Sequence, residues 1–234
     1  MKFALAIFLV LYAAPLSAQS FTLSMDGTTG LSGSAIQVFG LVTILSIVPG
    51  IAMMVTCFPF MVTVLSILRQ GIGLQSAPPN MLIVSLALFL TYFVMEPVFL
   101  DAWQQGIEPL TRNEIALEVG LTKALEPFRN FMLARVDPET LFSLAELRGA
   151  NFEAAPNSVL IPSFLLSEVT RAFQIGFIVF LPFLIIDLVV SAVLMSMGMM
   201  MVPPAIVSLP FKLAFFVVAD GWTLVSTSLV NGYF

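Results

Sequence analysis

The amino-acid sequence predicts an all-α protein of the membrane type, built from helical hairpins. Hydrophobic residues make up 59% of the 234 residues, and only 10% are charged. A typical soluble domain is about half apolar and about a quarter charged. In addition, uncharged apolar runs are long enough to cross a bilayer as helices. One charged region separates these runs, and it predicts a helical segment outside the membrane.

The amino terminus has the pattern of a secretory signal peptide. Lys2 supplies a positive charge, a short apolar core follows, and the bond between Ala18 and Gln19 is a candidate cleavage junction. We therefore predict that residues 1–18 are removed and that a polar segment, residues 19–35, follows. An uncleaved first membrane helix is the alternative, although the apolar core is short for a span.

Residues 36–100 are predicted to form the first apolar helical hairpin. Residues 36–68 carry no charge. As one helix they would extend about 50 Å, more than the roughly 30 Å of a hydrocarbon core. Pro49 and Pro59 interrupt this block, so the sequence permits either one kinked helix or a bent pair. A polar turn at residues 69–80 precedes the second apolar run.

Residues 101–158 form an acidic, amphipathic region that we predict to hold two or three helices. An apolar stripe at helical spacing runs along it: Leu121, Leu125, Phe128 and Met132. Asp137 followed by Pro138 has the pattern of a helix N-cap and first helical residue. The region therefore presents one apolar face and one charged face.

Charge distribution predicts an orientation. If the mature amino terminus lies outside, four membrane crossings place residues 69–80 inside and residues 101–158 outside. The inner turn contains Arg69 and no acid, which agrees with the preference for basic residues in cytoplasmic loops. We therefore expect the acidic region in the periplasm.

The second apolar hairpin, residues 159–234, contains the sequence MGMMMVPP. Pro203 and Pro204 cannot continue a helix, and Gly198 loosens the backbone before them. Four methionines lie at this break: Met197, Met199, Met200 and Met201. Methionine is apolar and flexible, so a ring of these side chains would close a pore yet yield to a passing chain. Ordinary packing of methionines between membrane helices is the simpler alternative.

Four charged residues in or beside apolar runs are informative: Glu96, Glu168, Asp187 and Lys212. A central Asp or Lys costs about 2.5–3.5 kcal/mol on insertion scales, so such residues usually face a protein interior or water. Asp187 and Lys212 flank the Met-rich break, and a hairpin would bring their helices together. Glu168 is a second candidate partner for Lys212. A salt bridge that fixes helix register and a polar contact that lines or gates a conduit both fit this pattern.

Composition excludes several classes of function. The chain has no histidine and a single cysteine, Cys57, so histidine-based catalysis, haem ligation by histidine and an internal disulfide are excluded. No basic stripe is present, which argues against a nucleic-acid partner. Asp187 and Asp220 lack the glycine-flanked context of intramembrane aspartyl proteases. We expect no enzymatic activity, cofactor or metal. An independent transporter is also disfavoured, because no internal repeat is found.

Three stretches of the sequence resemble the FliP family, membrane components of the bacterial flagellar type III protein export gate. They are residues 65–98, 123–133 and 172–222. The third stretch is long and specific, since FQIGF, FLIIDL, GMMMVPP and LPFKL occur in that order and spacing. The homologous subunit of virulence secretion systems is the alternative, but the signal-like amino terminus favours a flagellar member.

The resemblance implies an assembly and a site. Family members form a helical oligomeric gate of about five copies with FliQ and FliR subunits and other membrane proteins of the export apparatus. This gate lies in the flagellar basal body at the bacterial inner membrane, and export substrates pass it as unfolded chains. The resemblance also implies that the subunits can stand largely above the membrane plane, in which case the four crossings describe insertion rather than the mature assembly. The methionine gasket of the family corresponds to Met199, Met200 and Met201.

Overall fold

The structure, a computed structural model, describes residues 30–74, 77–150, 155–199 and 201–234. Within these ranges all regular elements are helical and no β-strand occurs, which confirms the all-α fold class. The predicted signal peptide, residues 1–18, and the greater part of the polar segment, residues 19–35, lie outside the described residues.

The described helices follow one another with short connections. In chain order they are α1 (Gly30–Met54), α2 (Phe58–Ile72), α3 (Asn80–Ala102), a π-helical turn (Trp103–Ile107), α4 (Glu108–Thr111), α5 (Leu117–Leu133), α6 (Pro138–Leu147), α7 (Asn157–Ser196), α8 (Pro204–Val218) and α9 (Gly221–Asn231).

The chain divides into two units, Met1–Ile47 and Val48–Phe234. The described part of the first unit is helical from Gly30 onwards. In it the hydroxyl groups of Thr43 and Ser46 donate to backbone carbonyl oxygens one turn earlier, at 2.7 Å each. Such bonds satisfy polar side chains within an apolar helix.

The first apolar block is two helices, not one. Pro49 lies inside α1, whereas the break falls at residues 55–57, just before Pro59 in the first turn of α2. Proline is tolerated at that point because the first backbone N–H groups of a helix have no partner within the helix. The Thr56 hydroxyl donates to the Met53 carbonyl oxygen at 3.0 Å, so this carbonyl at the end of α1 has a hydrogen-bond partner.

Helix α2 is the centre of the hydrophobic core of the second unit. One face of it is fully buried: Phe60, Met61, Val64, Leu65, Leu68 and Ile72. This face packs most extensively against α7. The two helices approach closely at Gly176, where an added Cβ would lie 2.4 Å from the Ile67 Cδ1 atom. A second, smaller cluster joins α5, α6 and the start of α7.

Several helices are long and apolar enough to cross a membrane. Among the described residues, Asn80–Thr111 and Asn157–Ser196 meet this condition as single helical stretches. Two bent pairs, Val38–Met54 with Phe58–Ile72 and Pro204–Val218 with Gly221–Asn231, raise the number to as many as four. Most of the apolar window in Asn157–Ser196 is not buried within the chain.

The acidic region contains the expected helices. Asp137 caps α6 as predicted, because its carboxylate accepts from the Thr140 backbone N–H at 2.9 Å and from the Thr140 hydroxyl at 2.7 Å. These bonds hold the pKa of Asp137 below its ordinary value. The predicted apolar stripe on α5 is only partly buried: Met132 lies in the core, whereas Leu121 and Leu125 are exposed.

Candidate functional site: the Met-rich loop and two buried polar clusters

The Met-rich loop begins where α7 ends in a left-handed glycine. Gly198 has φ +74°, its N–H donates to the Met195 carbonyl oxygen, and the Met199 N–H donates to the Leu194 carbonyl oxygen, both at 3.0 Å. This pair of bonds is the Schellman motif, which needs glycine because other residues are strained at positive φ. Gly198 therefore ends α7, and the backbone changes direction here.

The loop ends at two prolines. Pro203 is the N-cap of α8 and Pro204 is its first residue. Proline suits the first helical position because its fixed φ is already helical and it needs no N–H partner. Gly198, Pro203 and Pro204 thus set the two ends of a short loop at the tip of the α7–α8 hairpin.

Two methionines of this loop, Met199 and Met201, are exposed on the surface of the chain. Met201 is 98% exposed and Met199 is 46% exposed. Met200 lies outside the described residues. A fully exposed apolar side chain such as Met201 gains no burial within this chain, so it adds little to the stability of the chain.

An apolar groove of about 560 Å³ lies between α7 and α8 just below the loop. Only apolar side chains line it, among them Val189, Val193, Met197, Met199, Val207 and Phe211. The tip of the hairpin therefore has an apolar groove on its surface, beside the exposed loop.

Asp187 and Lys212 meet across the hairpin, below the loop. The Lys212 Nζ atom lies 2.6 Å from Asp187 Oδ2, and the Ser208 hydroxyl donates to Asp187 Oδ1 at 2.5 Å. Lys212 is 5% exposed, whereas 37% of the Asp187 side chain is accessible. Ser208 and Lys212 are one helical turn apart, so one face of α8 provides both partners.

The carboxyl end of α2 also approaches the Lys212 ammonium group. Gly73 ends α2 in the left-handed conformation, and a Cβ at this position would lie 3.7 Å from Lys212 Nζ. A helix carboxyl terminus carries partial negative charge, which favours a nearby cation. Lys212 is thereby held by Asp187, which also binds Ser208, and it lies close to the end of α2.

Glu168 belongs to a different cluster and is not the partner of Lys212 within the chain. It is 1% exposed. The Tyr233 hydroxyl donates a short hydrogen bond to Glu168 Oε2, and the Arg135 Nε atom lies 3.6 Å from Oε1. Of the two partners that the sequence offered Lys212, the structure selects Asp187, because it lies on the adjoining part of the hairpin.

The same cluster fixes Gly232 and Tyr233 onto α7 and onto the connection between α5 and α6. The Arg135 guanidinium group lies 3.7 Å from the centre of the Tyr233 ring, a favourable cation–π geometry. Arg135 and Arg171 both donate to the Gly232 carbonyl oxygen, at 3.1 and 3.3 Å. Burial and the Glu168 carboxylate raise the pKa of Tyr233 well above its ordinary value, so its hydroxyl group stays protonated and can donate.

Sequence reasoning missed Arg135, Arg171, Tyr233 and Ser208. A signal existed for Arg171, since it lies three residues after Glu168, and an acid beside an apolar run requires a cation. Ser208 lies four residues before Lys212, which places the two side chains on one helix face. No local pattern marked Tyr233, because its partners are far away in the sequence.

Comparison with known proteins identifies the family. The family model described as FliP family matches residues 41–229. The chain belongs to the FliP family. This confirms the resemblance identified from the three sequence stretches, and membership of the FliP family associates the chain with flagellar biosynthesis and the type III export apparatus.

Curated relatives agree with the FliP family assignment over most of the chain. A flagellar biosynthetic protein FliP of Rhizobium meliloti is 46% identical over 226 residues, covering 92% of each chain. The protein of that name from Agrobacterium fabrum is 45% identical, with 91% and 89% covered. The one from Bacillus subtilis is 43% identical, with 86% of this chain and 92% of the relative covered.

Proposed function

We propose that this chain is a channel-forming subunit of the flagellar type III protein export gate. In this role it passes unfolded flagellar proteins across the bacterial inner membrane. Membership of the FliP family supports the export apparatus as the setting. The observation that carries the channel role is the exposed Met-rich loop at the tip of an apolar hairpin.

Closure of the channel follows from the chemistry of methionine. Met199, Met200 and Met201 from several copies form a ring that excludes water, and a narrow hydrophobic constriction blocks ions by dewetting. Thioether side chains are flexible and unbranched. An arriving unfolded chain displaces them without breaking a fixed bond, and they close again behind it.

Assembly with other chains accounts for the apolar surface that this chain leaves exposed. We propose about five copies around one axis, together with FliQ and FliR subunits and other membrane proteins of the export apparatus, in the flagellar basal body. Contiguous exposed apolar surface on α3, α7 and α8 fits such burial. The names of the curated relatives favour a flagellar system over a virulence system.

The two buried polar clusters position the loop. The contact of Asp187 with Ser208 and Lys212 fixes the register of α7 against α8, so every copy presents its loop at the same height. The Glu168 cluster fixes the lower part of α7 to the end of the chain. In this proposal the charges are structural supports of the gate, and the methionines close it.

Ion leakage tests the gasket directly. Replacing Met199, Met200 and Met201 together with alanine should leave the complex assembled but make the inner membrane conduct ions, because alanine leaves a wider, hydrated opening. A matched control replaces three exposed methionines outside the loop, Met53→Ala, Met54→Ala and Met81→Ala. Tight membranes in the loop variant at normal complex levels, or equal leakage in both strains, would contradict the gasket.

A further inference from the structure

The α7–α8 hairpin extends past the helix that supports it. Helix α2 ends at Ile72, and at this level a Cβ built on Gly71 would lie 2.9 Å from the Phe183 Cδ2 atom of α7. Of the described α7 residues after Phe183, only Leu194 is buried. Residues 184–208 therefore form an arm that projects beyond the end of α2 and carries the Met-rich loop at its tip.

Each helix of the hairpin contains a proline at the base of this arm. Pro182 lies inside α7 and Pro210 lies inside α8. Because proline has no N–H group, the carbonyl group four residues before each proline loses its helical hydrogen-bond partner. Helices bend at such positions. The support from α2 also ends at this level of α8, since a Cβ on Gly73 would lie 3.5 Å from the Leu209 Cδ1 atom.

One ion pair connects the arm to the supported part of the hairpin. Asp187 accepts a hydrogen bond from the Ser208 hydroxyl at 2.5 Å, and both residues lie within the arm. The Lys212 Nζ atom donates to Asp187 Oδ2 at 2.6 Å, and Lys212 lies beyond Pro210, beside the end of α2. The bond to Ser208 therefore holds the two arm helices together, whereas the bond to Lys212 crosses the level of the prolines and holds the arm in place.

We propose that the arm pivots at Pro182 and Pro210, so that the gate opens by an outward tilt of the arm as well as by displacement of methionine side chains. The inference rests on the proposed function, because the arm presents the Met-rich loop to the channel. The arm extends about 22 Å from Phe183 to Gly198 at 1.5 Å per residue, so a tilt of about 10° moves the loop by about 4 Å. Loops on opposite sides of the ring then separate by about 8 Å, close to the roughly 10 Å that an extended chain needs between packed neighbours.

The same tilt preserves the polar contacts at the base of the arm. Asp187 lies about 7.5 Å along the helix from Pro182, so it moves by only about 1 Å. Its bond to Lys212 lengthens but is not lost, and it draws the arm back once the passing chain has left. Displacement of thioether groups alone is the alternative, and it requires no movement of the backbone.

Distances between copies in the purified, assembled complex distinguish these two modes of opening. Met195 lies on the arm and Phe177 lies before Pro182; they are 60% and 59% exposed and about five helical turns apart, so they share one face of α7. Spin labels on Met195→Cys and, separately, on Phe177→Cys are measured by pulsed electron paramagnetic resonance. The empty complex is compared with one that holds a filament protein stopped in the gate by a folded carboxyl-terminal fusion. The stopped chain should lengthen the distances at residue 195 by about 3 Å or more and leave those at residue 177 unchanged.

Two results of this measurement would overturn the pivot: unchanged distances at both positions, or equal increases at both. Failure of the proposed function gives a different result. A membrane that stays tight to ions after replacement of the loop methionines rejects the channel role, whether or not the arm moves.

Substitution of the prolines tests the pivot through export. Pro182→Ala combined with Pro210→Ala restores a backbone N–H in each helix. Export should fall about fivefold or more, the factor that corresponds to one restored hydrogen bond, while the complex stays at normal levels and tight to ions. The control is Pro162→Ala, at an exposed proline inside α7 near its start, which should leave export unchanged.

Normal export in the double variant, or an equal loss of export with Pro162→Ala, would contradict a pivot at the two prolines. If the double variant does not assemble, the distance measurement decides, because the labelled complexes keep both prolines.

Discussion

Helix α2 and the tip of the α7–α8 hairpin are both strongly apolar, yet their surroundings are opposite. On α2, Phe60, Leu65 and Leu68 are fully buried within the chain. At the tip, Met201 and Ile206 are exposed although they are also apolar. Composition therefore does not distinguish a core from an interface. Contacts within the chain do: the buried face of α2 stabilises this chain, whereas the tip gains no burial within it.

The largest expected effect on stability is at Tyr233. This residue packs against Phe60 of α2 and donates to Glu168 of α7. Tyr233→Ala should lower the free energy of unfolding by about 3 kcal/mol, because it leaves a cavity and unpaired Glu168 and Arg135 groups. Tyr233→Phe should cost about half as much, since the ring remains. Thermal unfolding measures both. Met201→Ala is the control at the tip and should leave the free energy of unfolding unchanged. Equal decreases for Tyr233→Ala and Met201→Ala would contradict the difference between the packed region and the tip.

Gly106 offers a second way to test the packed region. A Cβ at Gly106 would lie 2.5 Å from the Ala124 backbone N atom and 2.6 Å from the Gly120 carbonyl oxygen. Because backbone atoms cannot move aside, Gly106→Ala should destabilise the protein by about 2 kcal/mol.

Gly50 provides the matched control for Gly106. It is also a helical glycine, but nothing lies within 4 Å of a Cβ built there. Gly50→Ala should therefore be neutral or slightly stabilising, since alanine favours helix. Equal unfolding temperatures for the two variants would show that the close approach of the π-helical turn to α5 is not tight.

A smaller effect on stability is expected at Lys212, which lies between α2 and the tip of the α7–α8 hairpin. Lys212→Ala should cost about 1–2 kcal/mol, because Asp187 keeps Ser208 and partial access to water when its cation is lost. Its effect on motility and export should exceed that of Glu146→Ala, an exposed substitution on α6. Equal motility in the two strains would contradict a role for Lys212 in positioning the Met-rich loop.

Local signals in the sequence predicted much of this architecture. Asp137 and Pro138 marked the start of α6, and Gly198 with the two prolines marked the short segment where α7 ends and α8 begins. Each of these features acts within a few residues. The sequence could not choose between Pro49 and Pro59 as the break, because a helix tolerates a proline when neighbouring contacts hold the chain.

Long-range contacts account for what the sequence did not predict. Tyr233 bonds to Glu168, 65 residues earlier, and Arg135 bonds to Gly232, 97 residues later. No periodicity connects such positions, since packing decides them. For the same reason the sequence offered Lys212 two partners and could not select between Asp187 and Glu168. In the proposed gate the surroundings of the exposed methionines come from other chains, so contacts within this chain do not define them.

Cross-linking at the loop tests most directly whether the loops of several copies meet around one axis. In the purified complex, Met201→Cys should be joined between copies by a short bismaleimide, giving dimers and larger species. Cys57 is buried and does not compete. Leu147→Cys, which is also strongly exposed and lies at the end of α6, is the control and should remain monomeric. Modification of Met201→Cys by a lipid-soluble maleimide, with no cross-linked copies, would contradict a shared channel.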